Sequence, residues 1–159
     1  MGTANYRVSR KTVEAFYDAY AKRDVARIEP FLDDEVQWTI SGPVDVLPFC
    51  GTHSGKTDVL DLIKRLVPQM LRTFSFVSDA VLVDGDRVAL LSRQSARRAT
   101  DGRVVSYRVA NFIRFRDGKV VENLSLLDSF DAVEQLIGHR IEIAAGEKGV
   151  ADETDLVAV

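Results

Sequence analysis

The chain has 159 residues, 46% of them hydrophobic, which is enough for one domain with a real core and too few for two of ordinary size. A net charge of −3 and a pI near 5.4 supply no basic field, so neither nucleic acid nor a membrane is expected as a partner. One cysteine, Cys50, excludes an internal disulfide; with two histidines beside it no metal or cofactor is expected, and with no long apolar run a cytoplasmic location is.

In chain order, Val13, Phe16, Tyr17 and Tyr20 recur at helical spacing behind Ser9, a residue suited to cap a helix start. Asp24 opens a second, short helix through Ile28 and Phe31, weakened by Pro30. Val36, Trp38 and Ile40 alternate with polar residues, the pattern of a half-buried strand. Val59, Leu60, Ile63, Leu66 and Val67 form a third amphipathic helix, expected to end or kink at Pro68.

The stretch between strand and third helix reads Cys50-Gly51-Thr52-His53-Ser54-Gly55-Lys56-Thr57, which invites comparison with a phosphate-binding loop. Such a loop needs four residues between its glycines and a buried parallel strand before it. Here three residues intervene, and the preceding segment contains Pro43 and Pro48. The stretch is therefore expected to be a surface loop, with Gly55 or Thr57 capping the helix.

The second half changes character. Asp84-Gly85, Asp101-Gly102 and Asp117-Gly118 each separate strand-like runs, and Asp-Gly tolerates the positive φ of tight hairpins. Four antiparallel strands are expected near 73–83, 87–99, 103–115 and 119–127. Asp128 and Ser129 then cap a last helix that Gly138 ends. Residues 1–138 form the expected domain, and 139–159 an extension that is flexible in part. Helices followed by a meander of strands give an α+β fold whose curved sheet leaves a concave apolar pocket under the helices.

Four segments carry a resemblance to a known superfamily: Val13 to Tyr20 followed by Arg23-Asp24, Leu32 to Trp38, Leu47 to Thr52 leading to Gly55, and Phe115 to Val121. Together they resemble the nuclear transport factor 2-like superfamily, in its SnoaL-like branch with ketosteroid isomerases and polyketide cyclases. The resemblance implies a cone: a curved antiparallel sheet wrapped around the amino-terminal helices. In the isomerases it places a general base at Thr39, a tyrosine at Phe16 and a protonated aspartate at Asn111; in the cyclases it places an aspartate at Ser125. None of these positions carries the expected group, so the usual isomerase and cyclase routes are not expected.

What remains is a pocket of Phe16, Trp38, Thr39, His53, Asn111, Asn123 and Ser125, suited to a neutral, largely apolar small molecule held by neutral hydrogen-bonding groups. The chain then binds such a ligand, as an enzyme with non-standard residues or as a non-catalytic accessory protein. A three-residue turn with a bulge at Asp117-Gly118 would set Asn123 opposite Asn111, and a two-residue turn Leu124; the bulge is favoured because it points 123, 125 and 127 inward. Phe112, Leu124 and Leu126 then face outward and are expected to form a homodimer contact. His53 is expected on an exposed loop without a carboxylate partner.

Overall fold

The computed structural model describes residues 6–142; the rest of the carboxy-terminal extension expected to be flexible, 143–159, lies outside them. The first helix, α1 (Arg10–Ala21), starts where Ser9 accepts a hydrogen bond from the Thr12 amide at 3.0 Å. It buries Val13, Phe16, Tyr17 and Tyr20, the residues its spacing singled out. The short α2 (Val25–Ile28), capped by Asp24, tightens into a 3₁₀ turn (Glu29–Phe31) that takes Pro30 near its start, where a missing N–H costs least.

The strand β1 (Leu32–Ser41) follows, then β2 (Gly51–Ser54), the segment expected to be a loop. Gly51–Ser54 pairs antiparallel with β1, Trp38 opposite His53, so the phosphate-loop reading fails on topology as well as on spacing. The third helix runs as α3 (Lys56–Asp61), a π-helical turn (Leu62–Leu66) and α4 (Val67–Met70). It neither stops at Pro68 nor breaks there. The wider π turn just before the proline absorbs the hydrogen bond that Pro68 cannot make.

The meander is β3 (Leu71–Asp84), β4 (Arg87–Arg98), β5 (Val104–Arg116) and β6 (Lys119–Leu127), and α5 (Ser129–Ile137) closes the domain with Gly138 in the left-handed region. Asp128 holds the cap position of α5 but its side chain makes no capping bond. The sheet order is β2-β1-β6-β5-β4-β3. It is antiparallel except at one seam, where β1 runs parallel to β6.

The β5–β6 register differs from expectation. Asp117 and Gly118, both with positive φ, form a two-residue turn between Arg116 and Lys119, and the bulge sits further on, at Val121, between the pairs Phe115–Val120 and Arg114–Glu122. Ser125, not Asn123, therefore stands opposite Asn111. The bulge still turns Asn123 and Ser125 inward, as expected, while burying both Val120 and Val121.

The inner face is an aromatic core. Phe16, fully buried on α1, has Phe115 at 6.1 Å and Trp38 at 6.5 Å between ring centroids, and Tyr20 lies tilted against Trp38 at 6.0 Å. Burying side chains of this size dominates the stability of a domain this small. No helix among the described residues is long and apolar enough to cross a membrane.

A candidate ligand site in the cone

Behind the mouth of the cone lies a cavity of about 30 Å³, lined by Tyr20, Arg23, Gln94, Tyr107 and Ser125 together with apolar side chains of β1, α4 and β5. It is a space for one or two waters, not for a drug-sized molecule. On the other side of Arg23, Val67 and Leu71, which it shares with the cavity, a groove of about 550 Å³ opens to solvent. The π turn Leu62–Leu66 lies directly upstream of that wall.

Of the seven residues expected to line a pocket, Ser125 alone borders the cavity. Asn111 and Asn123 stand beside it on the inner face, both buried. Asn111 donates to Ser125 Oγ at 2.6 Å and Asn123 donates to the same oxygen at 2.9 Å. The Asn123 carbonyl lies 3.4 Å from Asn111 Nδ2, so the three side chains form one buried cluster. Ser125 is its member that borders the cavity. The Asn111 carbonyl oxygen is buried with no partner.

Phe16 and Trp38 are core rather than lining. Thr39 is a correction: alternation along β1 turns it to the outer face, where its hydroxyl meets that of Thr52 at 3.0 Å. His53 is a second correction, because it is buried on β2 rather than exposed on a loop. Its Nε2 lies 3.2 Å from the Phe49 carbonyl, and its Nδ1 lies 3.5 Å from a carboxylate, Asp58, which the sequence did not reveal. Asp58 is held in place by accepting from the Ser54 amide at 3.0 Å.

Three groups were missed. Tyr107, deep on β5, has a phenol that burial raises well above the ordinary tyrosine range, with the Arg23 charge pulling the other way, so it is a neutral hydrogen-bond donor at physiological pH. Tyr17, adjacent to Phe16, buries its hydroxyl without a partner and is likewise raised by burial. Arg23 ends α1 in a Schellman motif: its amide bonds the Tyr20 carbonyl at 3.0 Å and the Asp24 amide bonds that of Ala19 at 3.1 Å. That motif puts Arg23 at φ 54°, a left-handed conformation normally given to glycine. The buried polar side chains of the described residues are His53, Ser92, Gln94, Asn111, Asn123 and Ser125, with no carboxylate among them.

Comparison with known proteins agrees with this geometry. A family model described as the SnoaL-like domain matches residues 13–123. A presumed isomerase from Rhodopseudomonas palustris is 31% identical with a TM-score of 0.70, covering 80% of this chain and 93% of its own. An NTF2-like protein of unknown function from Burkholderia pseudomallei is 25% identical, TM-score 0.71, covering 80% and 95%. An LEH-like epoxide hydrolase of M. tuberculosis, 18% identical with a TM-score of 0.64 and covering 80% and 88%, shares the fold. No protein with a curated description matches the chain.

Proposed function

Because the chain belongs to the SnoaL-like domain family, we propose that it binds a small, largely apolar molecule in the cone, oriented by a hydrogen bond from Ser125 to an oxygen of the ligand. The observation that carries this is Ser125, whose hydroxyl borders the cavity while meeting the two buried amides of Asn111 and Asn123. A neutral hydroxyl set there can orient a ligand carbonyl or hydroxyl by a hydrogen bond. Tyr107 and Gln94 offer further donors to the same space. The ligand needs the cavity enlarged, and the wall of Arg23, Val67 and Leu71 is what separates it from the open groove.

Turnover on this reading uses non-standard groups. With no buried carboxylate among the described residues, proton abstraction by an interior Asp or Glu has no candidate, and Ser125, Tyr107 and the His53–Asp58 pair are the chemistry at hand. Native mass spectrometry of freshly purified protein, searching for a co-purifying small molecule, tests the reading, and the Ser125→Ala variant should lose that molecule. A ligand retained unchanged by Ser125→Ala would overturn the proposed anchor.

The second reading, a non-catalytic homodimer, is supported by the outer face. Leu82, Ala89, Phe112 and Leu124 stand in one cross-strand row from β3 to β6, and Leu91, Ala110 and Leu126 form the next. Phe112 is 51% exposed and Leu82 70%. Two such rows side by side form an apolar patch of the kind that closes against its own copy about a two-fold axis. The two readings are compatible; sedimentation and ligand capture test them separately.

A further inference from the structure

The neutral groups of the inner cavity do not account for Arg23. Its place in the Schellman motif is one that glycine fills without strain, so the backbone gives no reason for an arginine there. The guanidinium lies 3.8 Å from the centroid of the Phe74 ring and 5.2 Å from that of Tyr20, which hold it at the boundary between the outer groove and the inner cavity. A second left-handed residue, Thr73 at φ 50°, precedes Phe74 in the same groove wall. Among the described residues Arg23 makes no ion pair, and neither does Arg72, which also lines the groove. Lys22, also in the lining, is already paired with Asp18 at 2.8 Å, and no acid contributes to the lining itself.

We propose that the groove between the end of α1 and the α4–β3 junction is an anion-reading mouth, and that the ligand of the cone is an apolar acid whose carboxylate or acidic hydroxyl pairs with Arg23. This rests on the cone binding a ligand and names that ligand's class. It replaces the expectation of a neutral ligand, because the interior donors Ser125, Tyr107 and Gln94 all suit an anionic oxygen, and Arg23 supplies the charge they lack. An apolar body threads past Val67 and Leu71, and the planar guanidinium both stacks on Phe74 and presents paired N–H donors to the acid.

The test uses matched pairs of probes, naphthalene-2-carboxylate with its carboxamide and octanoate with octanamide, titrated calorimetrically into the full chain at low ionic strength. Wild type should bind an acid at least tenfold tighter than its amide. Arg23→Gly should erase that preference while its melting temperature holds or rises, since glycine relaxes the left-handed position; Arg23→Lys should keep part of it. Equal binding of acid and amide by wild type, or an undiminished preference in Arg23→Gly, overturns the anionic assignment and leaves the cone-ligand reading standing. Failure of every probe to bind wild type overturns both. A fall in the melting temperature of Arg23→Gly with binding preference intact identifies Arg23 as a structural residue instead.

Discussion

Asn111 and Ser125 face each other across β5 and β6, the amide donating to the hydroxyl at 2.6 Å while the carbonyl oxygen of the same amide is sealed from solvent without a partner. A polar side chain held this way is a poor choice for stability, because the orphaned oxygen loses its hydration and regains nothing. Asn111→Leu, apolar and branched in the same way, should cost about 1–2 kcal/mol in urea unfolding, because the buried Asn123 oxygen and Ser125 hydroxyl lose a donor while the orphaned carbonyl is removed. The same variant should lose the thermal shift that a bound ligand gives the wild type. A loss of several kcal/mol would show that the amide is structural.

His53 lies between the Phe49 carbonyl and Asp58, and it ties the short β2 to the start of α3. His53→Ala should cost about 1–3 kcal/mol in urea unfolding, from the lost packing of a buried ring and the loss of one hydrogen-bond partner. Asp58→Asn, which keeps an acceptor for the Ser54 amide, should cost less. Equal losses in the two variants would place the effect in the helix start and not in the histidine.

Acid should weaken the fold through its carboxylates. Arg98 holds the Asp101 carboxyl far below its usual range, Lys56 lowers Asp34, Arg65 lowers Asp61, and Lys22, then Arg27, lower Asp18. Each of these groups binds its proton more readily unfolded than folded, so its contribution is complete above the unfolded value of about 4 and drains away as the pH falls further. Urea midpoints should be level between pH 7 and 5 and drop below about pH 4. Asp101→Asn should start lower and fall less steeply; a midpoint that rises on acidification would contradict the assignment.

If the outer rows form a two-fold contact, Phe112→Glu should convert the dimer to a folded monomer, because it sets a charge into the centre of both copies of the patch at once. Sedimentation velocity with far-ultraviolet circular dichroism reads both outcomes. A wild type that sediments as a monomer at all concentrations removes the dimer.

Burial pushes the Cys50 thiol up to about 11, leaving little thiolate near neutrality. Ellman's reagent at pH 8 should react slowly with the native protein and rapidly in urea. Fast native labelling would mean that the wall around Cys50 opens on the reagent's timescale.

The four meander strands were legible within a few residues because alternation and Asp-Gly turns are local signals, and α1 was legible from its spacing and cap. β2 was not, since Gly51-Thr52-His53-Ser54 is short and polar and becomes a strand only by pairing with β1. The burial of His53 came with that pairing. Alternation along β1 already turned Thr39 away from Trp38; the superfamily resemblance pulled it inward, and the local signal was the better guide. The adjacent buried valines 120 and 121 were the visible trace of the bulge that sets Asn111 against Ser125. Nothing in Lys22-Arg23-Asp24 announces a Schellman turn without its glycine, so the cation at the mouth emerged only from the folded backbone.

The parallel seam between β1 and β6 also sets an order of assembly. The meander can zip from its own turns, but Trp38 pairs with Asn123, across nearly the whole domain, and β2 in turn has only β1 to hold it. On a ribosome the strand made first must wait for the strand made last. Until Lys119–Leu127 emerges, the edge of β1 opposite β2 has no strand of its own chain to pair with, and that interval is when a nascent copy is most exposed to pairing with a neighbour.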